Sequence, residues 1–351
     1  MPGGSKVLRT ASALVEAQLI EPQRLAALKN VASRYAVAIT PVVADPIDTA
    51  DPHDPIALQF VPDERELESY PEESADPIGD DAHSPVPGVV HRYPDRVLLK
   101  IVNVCAVYCR FCFRREMVGP GRGALTGAAL TAALDYIART PDIWEVILTG
   151  GDPLLLPPRR LKNVITRLAA IDHVKVIRLH TRIPIAAPER VTPALLRALR
   201  SGKATFMVVH ANHPRELTDE ARAACERVID AGIPMLAQSV LLRGINDDAE
   251  TLGALMRALV ECRIKPYYLH HADLASGTAH LRTSIAEGQA LMRALHGRYS
   301  GLCQPQYVLD IPGGHGKSPV GPTYLSADGS QITDFRGAGH VYPPGAKAKL
   351  L

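Results

Sequence analysis

The sequence predicts an α/β fold: a partial (β/α)6 barrel preceded by a helical and loop-rich N-terminal extension. Three observations carry this prediction. Apolar, β-branched runs recur at residues 97–102, 144–149, 174–179, 204–209, 234–241 and 264–269. Each is followed by a stretch with helical periodicity, near 125–139, 158–170, 192–200, 216–231, 248–262 and 285–298. Alternation at a spacing of roughly 30 residues describes βαβ units and a parallel sheet. Finally, the polar residues that could carry chemistry cluster just past the ends of the runs, where a barrel of parallel strands builds its sites. A doubly wound open sheet is the rival. It calls for a Gly-rich phosphate turn after its first strand, and here that turn holds Cys105, Cys109 and Cys112.

Ahead of the first run, residues 11–38 read as two helical pieces. Leu14, Val15 and Leu19 mark one apolar face, and Leu25, Leu28 and Val31 another, at the spacing of a helix. Pro22 separates them and suits the first turn of the second. From Thr40 to Val90 prolines and acidic residues dominate and the periodicity is lost. Residues 1–90 together are expected to wrap the barrel, being too irregular to build their own core. The expected organisation is an extension over 1–90, a barrel with a lysine-bearing loop over 91–325, and a tail over 326–351.

Composition bounds the function. The 351 residues are 46% hydrophobic and 22% charged with a formal net charge of +2, which describes a globular protein and gives no argument for nucleic acid or membrane. No apolar run approaches the roughly 18–20 residues that cross a bilayer. Met1-Pro2-Gly3-Gly4-Ser5-Lys6 lacks the apolar core of a signal peptide. Clustered free thiols need a reducing compartment, so the expected location is the cytoplasm.

The first strand runs into Cys105-Ala106-Val107-Tyr108-Cys109-Arg110-Phe111-Cys112, a C-x3-C-x2-C loop. Three thiolates on one loop can hold an iron–sulfur cluster and leave one iron without a protein ligand. A zinc site completed by a residue such as His91 is the alternative, although zinc sites usually show paired C-x2-C knuckles. Cys225, Cys262 and Cys303 are scattered and read as ordinary core or surface cysteines.

The later strand ends are Thr149-Gly150-Gly151-Asp152-Pro153, His180-Thr181-Arg182, His210-Ala211-Asn212-His213-Pro214, Gln238-Ser239 and His270-His271-Ala272-Asp273. Glycines 150 and 151 could let a ligand approach the backbone, with Asp152 free to accept from an ammonium. After the sixth unit comes Asp310-Ile311-Pro312-Gly313-Gly314-His315-Gly316-Lys317. It reads as a mobile loop presenting one lysine, suited to Schiff-base chemistry. A P-loop would need glycine where Ile311 stands.

The cysteine loop and the Gly-Gly-Asp-Pro turn resemble the radical S-adenosylmethionine (SAM) superfamily. Several further motifs resemble one of its branches, the lysine 2,3-aminomutase family. They are His91-Arg92-Tyr93-Pro94-Asp95-Arg96, Arg114-Arg115, His210-x-Asn212-His213-Pro214, Gln238-Ser239-Val240-Leu241-Leu242-x-Gly244-Ile245-Asn246-Asp247, Pro266-Tyr267-Tyr268 and Asp310 to Lys317. The resemblance implies a radical SAM barrel and an isomerase that moves the 2-amino group of L-lysine to C3, giving β-lysine. It implies that Cys105, Cys109 and Cys112 hold a [4Fe–4S] cluster, and that Gly150, Gly151, Asp152, His210 and Gln238 contact SAM. Lys317 would form the Schiff base with pyridoxal 5′-phosphate (PLP), whose phosphate would meet Arg92, Tyr93 and Arg96. Arg114 would take the substrate carboxylate, and Asp273 and Asp310 its side-chain ammonium. The partners implied are a small cationic amino acid and an electron donor such as flavodoxin or ferredoxin, with homo-oligomerisation left open.

The chain departs from the long family members, which carry a structural zinc bound partly by a C-terminal extension. Here the Gly-Ile-Asn-Asp turn continues with Asp248 and no cysteine follows Cys303, so zinc is not expected. Short relatives supply β-lysine for modification of elongation factor P, which is an alternative role. A non-catalytic iron–sulfur or zinc protein is the alternative from another class.

Overall fold

The computed structural model describes residues 6–343. The first five residues, and residues 344–351 of the expected tail, lie outside it. The extension supplies α1 (Ala11–Glu16), α2 (Leu25–Arg34), and two single turns, α3 (Pro41–Ala44) and α4 (Ala57–Phe60). Pro22 opens a 3-10 turn that leads into α2, as a proline at a first turn should. Then β1 (Val89–Tyr93) and β2 (Arg96–Val102) precede α5 (Gly127–Ala138). The beat continues with β3 (Glu145–Gly150), α6 (Pro158–Ala169), β4 (Val176–Thr181), α7 (Ile183–Ala186), α8 (Pro193–Leu199), β5 (Ala204–His210) and α9 (Asp219–Asp230). It ends with β6 (Met235–Leu241), α10 (Ala249–Glu261), β7 (Lys265–His271), α11 (Ile285–Leu295), β8 (Gln306–Ile311) and β9 (Gly316–Pro319). Gln331–Thr333 and Gly339–Val341 form a separate small hairpin, β10 and β11.

The helices begin where their caps allow. Thr126, Thr192, Thr218, Asp248 and Ser284 each accept a backbone N–H of the first turn of the helix that follows, an interaction typically worth about 1 kcal/mol. Their apolar faces pack on the strands. Leu130, Leu134, Leu161, Leu168, Val228, Leu255 and Leu259 join Val97, Leu99, Val146, Leu148, Ile177, Leu179, Met207 and Val209 in one buried cluster.

Strands β1 to β9 form a single sheet in chain order. The ladders from β2 to β8 are all parallel, and β1 and β9 are antiparallel edges. No ladder joins the two edges, yet the Tyr93 hydroxyl on β1 accepts from the Lys317 backbone N–H on β9 at 2.6 Å. The sheet therefore curls until its ends meet along a seam, making a nearly closed barrel. The six expected βα units are present, with seven parallel strands because β8 follows the sixth unit.

Two features differ from expectation. The charged lead-in to the first strand is itself a strand, β1. The lysine loop is a hairpin: Lys317 lies on β9, directly opposite Asp310 on β8, and only Pro312–His315 make the turn. Cavity-facing charged residues interrupt the apolar pattern that would have marked these strands. The extension also does more than wrap. Leu14, Leu28, Val31, Tyr35, Ile39, Ile56 and Phe60 close an apolar cluster with Val107 and Ala186 from the barrel. Among the described residues no helix is long and apolar enough to cross a membrane.

Candidate active site

The barrel encloses a cavity of about 730 Å³, within the usual range for small-molecule sites. Its wall includes Cys105, Cys109 and Cys112, Gly150 to Asp152, His180, His210, Gln238, His270, Asp273, Asp310 and Lys317, with Arg92, Tyr93, Arg96 and Arg114. Every residue expected at the site from sequence therefore borders one space.

The cysteine loop leaves β2 and is fastened from two sides. On one side, Gly151 and Asp152 donate their backbone N–H groups to Val102 O at 2.6 Å and Val104 O at 2.9 Å. A Cβ on Gly150 would sit 2.3 Å from Val102 O, and one on Gly151 2.2 Å from Val104 O. The glycines are thus required by the chain entering the cysteine loop, whatever ligand also approaches them. On the other side the extension holds the loop. Tyr108 N–H donates to Ala38 O at 3.1 Å and Arg110 N–H to Gln59 O at 2.8 Å. Glu66, fully buried, accepts from the guanidinium groups of both Arg110 and Arg115. Arg115 also stacks on Tyr35 at 3.6 Å.

All three thiols are free. Burial, followed by the carboxylate of Asp152 and the neighbouring thiols, pushes Cys105 well up. Burial and Cys109 push Cys112 up to about 11. Such thiols become thiolates when a metal supplies the compensating charge. His91, the residue that could complete a zinc site, is instead bonded through Nδ1 to the Tyr136 hydroxyl at 2.7 Å.

Asp152 is turned into the fold, contrary to the expectation that it is free for an ammonium. Its Oδ1 accepts from Thr181 Oγ1 at 2.7 Å and Leu154 N–H at 3.0 Å, and its Oδ2 from Arg182 N–H at 2.7 Å. It anchors the strand end after β4, so the polar surface that this turn offers the cavity is its backbone. Asn212 and Ser239 are likewise structural. Asn212 Oδ1 accepts from Val240 N–H at 2.8 Å, and Ser239 Oγ donates to Ala211 O at 2.6 Å. His210 and Gln238 stand side by side in the β5–β6 ladder. Burial, then the Arg182 charge, holds His210 down to about 3. Burial, then Arg178 and His210, also keeps His180 neutral at ordinary pH.

At the seam, Lys317 Nζ is 2.8 Å from Asp310, and His270 Nδ1 is 3.7 Å from Asp310 Oδ2. Burial alone would raise the Asp310 carboxyl, but the nearby His270 ring and the Lys317 ammonium outweigh it and hold Asp310 well below the usual range. Asp273 behaves oppositely. Burial and the Asp310 charge push it up to about 7 against the opposing pull of Lys317, Arg114 and Arg92. Arg96 lies over the Tyr93 ring at 3.9 Å and pairs with Asp95 at 2.6 Å.

Arg114 is not a free clamp. Its Nε donates to Asp80 Oδ2 at 2.9 Å, while Arg92 donates to Asp80 Oδ1 at 3.2 Å and to Ile78 O at 2.6 Å. Lys100 Nζ lies 3.9 Å from the same carboxylate. Asp80 is buried, and its partners outweigh burial to hold it below the usual range. Its loop also packs on the lysine hairpin: a Cβ on Gly79 would meet Gly314 N at 2.6 Å and Gly313 C at 2.8 Å.

Sequence reasoning missed Asp80 and Glu66. The capping-box spacing Asp63 to Glu66 was readable, and both of its bonds are present. Asp80 had no local signal beyond an acidic stretch preceding an arginine-rich one. Cys225, Cys262 and Cys303 are buried away from the cavity.

The donor set fits the groups expected from sequence. Three thiols on one cavity wall suit an iron–sulfur cluster. Among the described residues the buried Arg92 Nε and His180 Nε2 have no partner, and both residues border the cavity. Unpaired buried polar nitrogens of this kind call for a polar ligand, and the Arg92 guanidinium suits an anionic one. Lys317, Tyr93, Arg92 and Arg96 form a lysine-and-cation group suited to an aldehyde bearing a phosphate.

A profile of the Radical SAM superfamily matches residues 99–255. The L-lysine 2,3-aminomutase of Acetoanaerobium sticklandii is 42% identical over 306 residues, covering 87% of this chain and 74% of that one. The L-lysine 2,3-aminomutase of Escherichia coli is 36% identical over 304 residues, covering 85% and 87% respectively. The glutamate 2,3-aminomutase of Clostridioides difficile is 36% identical over 309 residues, covering 88% and 73%.

Proposed function

For a chain that belongs to the lysine 2,3-aminomutase family, a family of radical SAM isomerases, we propose a PLP-dependent 2,3-aminomutase that converts L-lysine to β-lysine. Radical SAM chemistry brings with it a [4Fe–4S] cluster, SAM and a source of electrons. The observation that carries the finer reading is the single cavity shared by three thiols, Lys317 and the carboxylates Asp273 and Asp310. In this reading residues 1–90 act as an extension that braces the barrel, residues 91–325 hold the site, and the segment beyond is a tail.

Cys105, Cys109 and Cys112 hold the cluster. The Gly150–Asp152 backbone, His210 and Gln238 face SAM. Lys317 would hold PLP through its amine, and Tyr93, Arg92 and Arg96 would take its phosphate. When bound, these groups supply a radical able to take hydrogen from an unactivated carbon, and a conjugated ring that spreads the unpaired electron.

The chain's own residues select and orient the substrate. Arg114, aligned by Asp80, faces the substrate carboxylate. Asp310 holds Lys317 Nζ in the ligand-free chain. With Lys317 engaged by the cofactor, the same carboxylate would be free to accept from the substrate ammonium, with Asp273 as its second acceptor. A substrate with a side-chain carboxylate would meet two carboxylates there, which favours lysine over glutamate. His180 and His210 stay neutral and so add no cation to repel the substrate.

The test is anaerobic reconstitution with iron, sulfide and PLP, then incubation with SAM, dithionite and L-lysine. β-Lysine from wild type and none from Lys317→Ala supports the reading. SAM cleavage without β-lysine retains the cluster and rejects the substrate.

A further inference from the structure

Cys109 has a cation on its sulfur. Arg182, which follows β4, donates from Nη1 to Cys109 Sγ at 3.0 Å. The guanidinium is fixed from several directions. Nη2 donates to Gln59 Oε1 at 3.0 Å and pairs with Glu216. The rings of Phe60 and Phe111 lie 4.8 Å and 5.5 Å from it, and the Arg182 backbone is tied to Asp152. Glu216 is itself held, with Oε1 accepting from Asn212 N–H at 2.7 Å, His213 N–H at 3.0 Å and Gln59 Nε2 at 3.1 Å. Arg182 and Glu216 are only 7% and 5% exposed, so solvent screens their charges weakly.

Hydrogen bonds to the sulfurs and nearby charge are among the levers that set a cluster's potential. A reduced cluster carries one more negative charge than an oxidised one, so a fixed cation on Sγ favours reduction. A carboxylate behind that cation opposes it. We infer that Arg182 and Glu216 are a positioning pair that sets the reduction potential of the cluster, Arg182 raising it through Cys109 Sγ and Glu216 moderating it. The inference rests on the proposed role of Cys105, Cys109 and Cys112. Neither residue needs to touch substrate.

The test is an EPR-monitored redox titration of the reconstituted full chain without substrate, for wild type, Arg182→Gln, Arg182→Lys and Glu216→Gln. Arg182→Gln is expected to lower the reduced-to-oxidised ratio about tenfold at a fixed potential, a downward shift of about 59 mV for one electron. Glu216→Gln shifts upward, and Arg182→Lys falls between wild type and Arg182→Gln. Equal potentials in loaded proteins overturn the inference and leave the cluster assignment standing. A wild type that assembles no cluster overturns that assignment and the inference with it. If Arg182→Gln fails to hold a cluster, Glu216→Gln decides: an upward shift supports the pair, and no shift or a downward one overturns it.

Discussion

Replacing Asp273 with Asn removes a site carboxylate that changes charge near neutral pH. Burial and the adjacent Asp310 push Asp273 up to about 7, while Asp310 remains ionised. A substrate ammonium needs both carboxylates charged to be held by both. With a pKa near 7, Asp273 is ionised in roughly one chain in ten at pH 6 and about nine in ten at pH 8. If Asp273 holds the substrate ammonium as proposed, the ligand-free site must release a proton to bind it at the lower pH. Apparent affinity falls roughly tenfold between pH 8 and pH 6, a difference of about 1.4 kcal/mol. The assay is kcat/KM for L-lysine in the fully loaded enzyme across this range, as the ratio of wild type to Asp273→Asn. Groups common to both proteins cancel in the ratio, which is expected to be large at pH 8 and to shrink about tenfold by pH 6. Stability has the opposite dependence. A raised folded pKa means that the native chain binds a proton the unfolded chain has released, so stability falls as pH rises from the ordinary carboxylate range through about 7. Asp273→Asn should then be the more stable ligand-free protein at pH 8, with the difference fading toward pH 4. A kcat/KM ratio constant from pH 6 to pH 8 would refute the reasoning.

Three further outcomes are expected. Glu66→Gln leaves the buried Arg110 and Arg115 without their counter-charge and should cost roughly 3–5 kcal/mol, read as a lower urea midpoint. Its partners hold Glu66 below its ordinary value of 4.5 despite burial, so this contribution is full above that pH and is lost as pH falls through the lower folded value; equal midpoints at pH 7 would contradict it. Gly151→Ala should greatly reduce iron and sulfide per chain without altering a thiol, because its Cβ would collide with Val104 O at 2.2 Å; normal iron content would count against the packing argument. Asp80→Asn frees Arg92 and Arg114 from their shared carboxylate and should raise KM for lysine about tenfold or more, the scale of a charged hydrogen bond, and an unchanged KM would show that Asp80 does not align Arg114.

The six βα units were legible because their strands carry dense apolar, β-branched runs despite the polar residues that face the cavity, and their helices carry an apolar face. The cysteine loop, Lys317 and the carboxylates were legible as motifs. What escaped was long-range. Asp80 meets Arg114 and Glu66 meets Arg110, and no local pattern announces a carboxylate whose cation lies 34 or 44 residues away. Asp152 shows the reverse error. Its place in a recognised turn suggested a free acceptor, whereas Thr181 and Arg182 of the next strand end occupy both oxygens. The β8–β9 hairpin was hidden because its cavity-facing positions are charged and its turn is rich in glycine.

The seam between β1 and β9 has a consequence for biosynthesis. The thiols lie about a third of the way along the chain, whereas Lys317 belongs to the last strand of the sheet. A ribosome releases the cysteine loop and its supporting strand early. Asp310 and Lys317 emerge only after all six βα units. Contacts this distant in sequence form slowly. During that interval the nascent protein exposes cysteines with neither the lysine nor the Tyr93 contact that joins the two edges. Metal delivery before release would therefore meet an unclosed barrel, and the final hairpin would complete the site around whatever had already been installed.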